Sequence, residues 1–241
     1  MIETTAFAIP ALLSAACLFW SDGWSKGQTP AGQVVCHGDS LTFGENAAKR
    51  QGTASGVAYP GVLASRLGAG WKVTSLGRPG WTIGQLAEEA ALHVDTLYNS
   101  KLPENVLIVF GGANDLGGAR MSASRALENM EEYCRARKAA HPWKILVATP
   151  PMAVDPSVCP PDFNDQMLEY GELIRGGWRR FADGIVDVQA DPRLGAPGCE
   201  RDSRYFNPQD LTHLTDAGYE IIGDEAAKAV ARISGHAPVA K

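Results

Sequence analysis

The chain has 241 residues, with 22 Lys and Arg against 27 Asp and Glu, giving a formal charge of −5 at pH 7. It is 45% apolar and 20% charged, which excludes collagen-like, coiled-coil and disordered classes. No basic excess and no Lys/Arg cluster of five or more is present, so nucleic-acid binding is not expected.

Residues Ala6 to Trp20 carry no charge. The stretch is shorter than the roughly 20 residues that span a bilayer, and Pro10 interrupts it. The residues before it, Met-Ile-Glu-Thr-Thr, lack the base of a secretory signal. Two readings stay open: a segment packed on the domain or on a partner subunit, or a degenerate export signal. The first leans towards the cytoplasm, the second towards export. A homo-oligomer is compatible with either. Ser21 to Gln33 has the Gly, Ser and Pro breakers of a linker. The expected division is therefore 1–32 for the apolar segment and linker, 33–235 for one domain, and 236–241 for a tail.

Strand and helix patterns then alternate. Gln33 to His37 is a short apolar run ending at Gly38, read as a buried strand. Tyr59 to Leu67 follows as a helix and Trp71 to Leu76 as a second strand. Thr82-Ile83-Gly84-Gln85 fits a capping box and opens a helix with Ile83, Leu86, Ala90, Val94 and Leu97 on one face. Asn105 to Phe110 is a strong buried strand. Leu127, Met130 and Cys134 mark the next helix. Lys144 to Ala148 is a fourth strand, stopped by Pro150-Pro151. Phe163 to Phe181 reads as helix, Gly184 to Val188 as a fifth strand, and Leu214 to Ile233 as the closing helix. Strands that are apolar throughout and alternate with helices predict an α/β fold with a parallel sheet covered on both faces. Sites in such sheets lie beyond the carboxyl ends of the strands.

Cysteines stand at 17, 36, 134, 159 and 199, without a C-x-x-C pair. Cys36 and Cys134 fall in apolar runs and read as buried thiols. Cys159 and Cys199 lie in loop-like stretches and could pair in an oxidising compartment.

Chemistry-bearing residues follow the strands. Gly38-Asp39-Ser40-Leu41-Thr42 follows the first, Gly77-Arg78-Pro79-Gly80-Trp81-Thr82 the second, and Gly111-Gly112-Ala113-Asn114-Asp115 the third. Asp210-Leu211-Thr212-His213 precedes the last helix. Each motif alone is ordinary: a serine at such a turn caps a helix, and Gly-rich or Asn-Asp segments make turns. Together they are the parts for acyl transfer. A serine hydroxyl needs a base to become a nucleophile, and a neutral histidine can serve. A carboxylate is needed to fix the imidazole tautomer. Asp210, three residues before His213, is close enough to do so. The backbone N–H groups of Ser40 and Gly80 and the amide of Asn114 are the candidate oxyanion donors. Asp39 and Asp115 are expected to shape their loops, and His37 to be a strand-end residue rather than a ligand.

These four blocks resemble those of the SGNH (GDSL) hydrolases, named for Ser, Gly, Asn and His. Gly38-Asp39-Ser40-Leu41 is similar to the first block, Pro79-Gly80-Trp81-Thr82 to the second, Gly112-Ala113-Asn114-Asp115 to the third and Asp210-Leu211-Thr212-His213 to the last. The likeness runs from about Gln33 to Ile233. It implies a three-layer, flavodoxin-like sandwich with five parallel strands in the order 2-1-3-4-5. It also implies a serine esterase with Ser40, His213 and Asp210 as triad, and Ser40, Gly80 and Asn114 as oxyanion hole. An α/β-hydrolase elbow would need a second glycine where Thr42 stands.

No metal or cofactor is expected, since no H-E-x-x-H, P-loop or dinucleotide motif occurs. Two long irregular stretches, Gly44 to Tyr59 and Gln189 to Pro208, are candidate pocket walls. Arg78, Trp81, Tyr205 and Phe206 are the candidate substrate-binding residues. The expected activity is hydrolysis of a small-molecule carboxylic ester through an acyl-enzyme. An acyltransferase or a carbohydrate O-acetylesterase with the same site is the alternative. A binding module without chemistry would be signalled by loss of the Ser, Asn or His, and all three are present.

Overall fold

The computed structural model describes residues 30–45, 58–154 and 159–237. The N-terminal segment, most of the stretch after Gly44 and the end of the tail therefore lie outside the described residues.

Five strands form one parallel sheet: β1 (Gly32–Gly38), β2 (Trp71–Gly77), β3 (Glu104–Phe110), β4 (Lys144–Ala148) and β5 (Gly184–Val186). Their order is β2-β1-β3-β4-β5, as the resemblance implies. Helices α1 (Ser40–Phe43), α2 (Tyr59–Leu67), α3 (Ile83–His93), α4 (Ala113–Leu116), α5 (Ala123–Ala140), α6 (Phe163–Gly177), α7 (Pro192–Gly195) and α8 (Asp216–Ser234) connect and cover them.

The central strands are apolar on both sides because each face has its own core. On one face Val34, Cys36, Val106, Ile108 and Leu146 pack against Leu63 of α2 and Tyr219, Ile222 and Val230 of α8. On the other, Val35, Leu107, Val109, Ile145 and Val147 meet Leu86 of α3, Met130 and Tyr133 of α5 and Tyr170 of α6. Alternate residues of one strand thus feed opposite layers, each fully buried aliphatic contributing about 1.5–3 kcal/mol. Strand β2 is the exception. It lies at the sheet edge, and most of its residues are partly exposed.

Several boundaries differ from the sequence reading. The fifth strand ends at Val186, because Asp187 turns out of the sheet. Its carboxylate takes a forked pair of bonds from Arg175 (2.9 Å each) and one from Thr149 Oγ1 (3.0 Å). Helix α3 stops at His93, and a 3-10 turn, Asp95–Leu97, carries Leu97 onto the core. Helix α6 stops at Gly177 and tightens into a 3-10 turn over Trp178–Arg180. The last helix starts at Asp216, with Thr215 as its cap, because Leu214 is held in an antiparallel bridge to Phe206. The capping box forms as predicted: Thr82 N–H donates to Gln85 Oε1 (2.9 Å), and Gln85 N–H donates to Thr82 Oγ1 (3.4 Å).

The suggested Cys159–Cys199 disulfide is corrected. Cys159 packs with the α5/α6 layer and Cys199, a thiol, with the α2/α8 layer, on the opposite face of the sheet. Cys36 and Cys134 are buried, as predicted, and burial pushes the Cys36 thiol up to about 12. Among the described residues no helix is long and apolar enough to cross a membrane.

Candidate active site

Strands β2, β1 and β3 are neighbours, so the loops leaving their carboxyl ends meet. Ser40 is the first residue of α1, directly after β1. Asp39 caps that helix: its Oδ1 accepts Leu41 N–H at 2.9 Å, and its own N–H donates to Phe110 O at 3.2 Å. Gly38 lets this turn lie flat on β3, since a Cβ there would sit 2.1 Å from Phe110 O and 2.3 Å from Thr42 Oγ1. Ser40 is thereby placed at a helix N-terminus with its side chain partly exposed. Asp39 is buried, which pushes its carboxyl up to about 7.

The opposite wall is a tight turn. Phe206 and Leu214 bridge its base, Asn207 N–H donates to His213 O (2.8 Å), and Leu211 N–H donates to Asn207 O (2.8 Å). Leu211 sits in the left-handed region (φ 55°), a strained choice for a non-glycine residue. Its carbonyl is held by Val154 N–H at 3.1 Å. This turn brings Asp210 and His213 together. Asp210 Oδ1 accepts the N–H groups of Thr212 and His213 (3.0 Å each), and Oδ2 lies 2.8 Å from His213 Nδ1. Nε2 of the same ring lies 3.1 Å from Ser40 Oγ. With Nδ1–H donating to Asp210, Nε2 presents its lone pair and accepts the serine O–H.

Charge follows this geometry. Burial alone would lower the His213 pKa. The hydrogen bond and charge of Asp210, with the charges of Glu45 and Asp39, outweigh burial and raise it. Burial alone would raise the Asp210 carboxyl. Its bonds from His213 and from the Thr212 and His213 N–H groups reverse this, and the carboxyl lies below its ordinary value.

The second and third blocks are joined to each other. Arg78 N–H donates to Gly38 O at 2.7 Å, and Trp81 N–H closes a turn onto Arg78 O at 3.1 Å. Gly80 is in that turn at φ +79°, a conformation that favours glycine. Asn114 lies in α4, directly after β3, and its Nδ2 donates to Trp81 O at 2.9 Å. Asp115 is fully buried and accepts Ile83 N–H at 2.9 Å, tying this loop to the start of α3. Asp39 and Asp115 thus shape their loops, as the sequence reading has them.

Outcomes differ among the four proposed substrate-binding residues. Arg78 and Trp81 share the Gly80 loop, with the guanidinium 5.7 Å from the Trp81 ring centroid. Arg78 is tied down by Glu89 (2.9 and 3.0 Å). Glu89 also accepts from Nε2 of the buried His37, whose Nδ1 lies 2.6 Å from the Tyr133 hydroxyl. His37 is therefore a structural partner. Tyr205 is partly buried between Arg193 and Arg204 (5.7 and 5.4 Å). Phe206 is corrected. It is 0% exposed, and it anchors the Asp210–His213 turn in the core rather than facing a substrate. Sequence reading missed Glu45, whose Oε2 lies 3.6 Å from His213 Nε2. It stands in the Gly44 to Tyr59 stretch expected to form a pocket wall, where no local pattern singles it out.

Residues 36–221 match the GDSL-like Lipase/Acylhydrolase family. The chain belongs to this family. It is thereby a carboxylic ester hydrolase acting on small-molecule esters, and the SGNH hydrolase fold agrees with the order of its sheet. Solved SGNH structures share that fold. A carbohydrate acetylesterase family member from Sinorhizobium meliloti is 21% identical with a TM-score of 0.66, covering 85% of this chain and 99% of its own. The M. smegmatis aryl esterase is 21% identical with a TM-score of 0.64, covering 84% and 100%. A lipolytic G-D-S-L family protein from Veillonella parvula is 14% identical with a TM-score of 0.66, covering 84% and 100%. Comparison with curated protein sequences gives no match.

Proposed function

We propose that this SGNH hydrolase cleaves its ester through an acyl-enzyme on Ser40, with His213 as base and Asp210 as its orienting carboxylate. The observation that carries this reading is the unbroken hydrogen-bond line from Asp210 Oδ2 through both ring nitrogens to Ser40 Oγ, at 2.8 and 3.1 Å. Ser40 Oγ forms a bond to the acyl carbon while its proton passes to Nε2. The imidazolium then gives that proton to the departing alcohol oxygen as the C–O bond breaks. Water repeats the sequence in reverse order and releases the acid.

The oxyanion of each tetrahedral step falls to the Ser40 N–H at the helix start, the Gly80 N–H and Asn114. The Asn114 amide has two hydrogens. One is spent on Trp81 O, which fixes the side chain, and the other serves the oxyanion. Asn114→Ala is expected to lower kcat for p-nitrophenyl acetate by about 10²–10³, with KM little changed. A kcat within a few-fold of wild type would remove Asn114 from this role.

Covalent chemistry is tested directly by a fluorophosphonate. One adduct per chain is expected, on the peptide that carries Ser40. Failure to label, with the fold intact by circular dichroism, would overturn the acyl-enzyme. Product analysis with added alcohol separates the acceptors. Free acid alone identifies water as the acceptor, and a new ester identifies transfer.

A further inference from the structure

The turn that closes α1 carries a carboxylate that the steps above do not use. Gly44 takes the left-handed conformation, and Glu45 N–H donates back to Ser40 O at 2.9 Å. The Glu45 carbonyl accepts the hydroxyl of Tyr219 at 2.6 Å, from a residue otherwise buried in the α8 layer. The backbone of Glu45 is thus fixed from both sides. Its carboxylate Oε2 is 3.6 Å from His213 Nε2, with the side chain 24% exposed. Among the described residues, the charged groups facing His213 are Asp210 from its own turn, Glu45 from the turn after α1 and Asp39 from the end of β1, all of them acidic.

Nε2 is the atom that protonates the departing alcohol, so the alcohol oxygen comes within about 3 Å of it. That oxygen therefore lies within about 7 Å of Glu45 Oε2, and whatever the alcohol carries extends from there. Ser40 Oγ, at 3.1 Å, is the closer partner of Nε2, so Glu45 does not displace the serine. It acts as a fixed charge on the alcohol side.

We propose that Glu45 is a specificity-determining residue of this site, favouring esters of cationic alcohols over esters of neutral and, above all, anionic ones. The inference rests on the reading of Ser40 and His213 as nucleophile and base. Its physical basis is a localised negative potential at the place where the alcohol must pass, weakened but not abolished by partial exposure.

The test compares acetylcholine with 3,3-dimethylbutyl acetate, which have nearly the same shape and differ by one positive charge. Acetoxyacetate supplies the anion. In Glu45→Gln the ratio of kcat/KM for the cation over the neutral ester is expected to fall about three- to tenfold, a range set by one partly screened charge. Glu45→Lys is expected to lower it further and to raise acetoxyacetate relative to the neutral ester. Competition of each ester against fluorophosphonate labelling reads the same preference as binding, independently of turnover. Ratios within twofold of wild type in both variants would overturn the assignment of Glu45 while leaving Ser40 in place. A wild-type protein whose Ser40 neither takes the label nor turns over the neutral ester would instead overturn the reading on which this one rests.

Discussion

Ser40→Ala is expected to lower kcat for p-nitrophenyl acetate by about 10⁶, and His213→Ala by a similar factor. The double variant should be no worse than either single one. In the proposed mechanism the two side chains act through one 3.1 Å contact, so removing either would leave the other without a task. What survives in each variant is substrate binding and the oxyanion donors, which these substitutions do not touch. Stability should change little in Ser40→Ala, because the Ser40 side chain is partly exposed and the cap of α1 belongs to Asp39. Initial rates, with melting curves as the control for folding, decide the matter. Full retained activity in either variant would defeat the proposed mechanism, and clean additivity of the two losses would count against a shared step.

How much of this was legible in the sequence depends on what encodes each part. The central strands read within one or two residues, because the middles of β1, β3 and β4 are buried on both faces and are apolar on both. The fifth strand read two residues too long. Val188 is apolar and buried, but Asp187 is pulled out of the sheet by Arg175, and a pattern of apolar residues does not show an ion pair to another helix. The sequence pattern starts α8 two residues early for a related reason. Leu214 has helical spacing to the residues after it, but its backbone is engaged by Phe206.

The site was legible where its spacing is short. Asp210 and His213 are three residues apart, and one turn suffices to join them. Ser40 lies far from them in sequence, and its position after a strand, with the likeness of Gly38-Asp39-Ser40-Leu41 to the first family block, points to it. Phe206 and Glu45 show the limit from both sides. An aromatic in a long loop suggested a pocket wall, and tertiary packing made it the anchor of the turn. A glutamate five residues after Ser40 lies in a stretch expected to wall the pocket but carries no mark of its own, and tertiary packing brings it to the same imidazole.

Asp210→Asn is expected to give the second large effect, a loss of about 10⁴ in kcat with the fold retained. The reason lies in how the carboxylate is held. Oδ1 already accepts two backbone N–H groups, from Thr212 and His213. In the variant the amide oxygen takes that place, because an NH₂ there would face two donors. The NH₂ then points at Nδ1, where the wild-type carboxylate accepts at 2.8 Å. A donor at that position requires a lone pair on Nδ1, so the neutral ring must carry its proton on Nε2. That tautomer cannot accept from Ser40, and Glu45 at 3.6 Å offers it a carboxylate. The pH profile should change in a definite direction as well. The proposed base works when neutral, so wild-type activity is expected to fall as pH drops through the raised His213 pKa, above the ordinary value of about 6.5. Asp210 is the larger of the carboxylate contributions that raise it. In Asp210→Asn the residual activity should therefore persist to lower pH even though the plateau is far lower. An acid limb that stays in place, or a plateau within tenfold of wild type, would show that Asp210 neither sets the tautomer of His213 nor supports its charge.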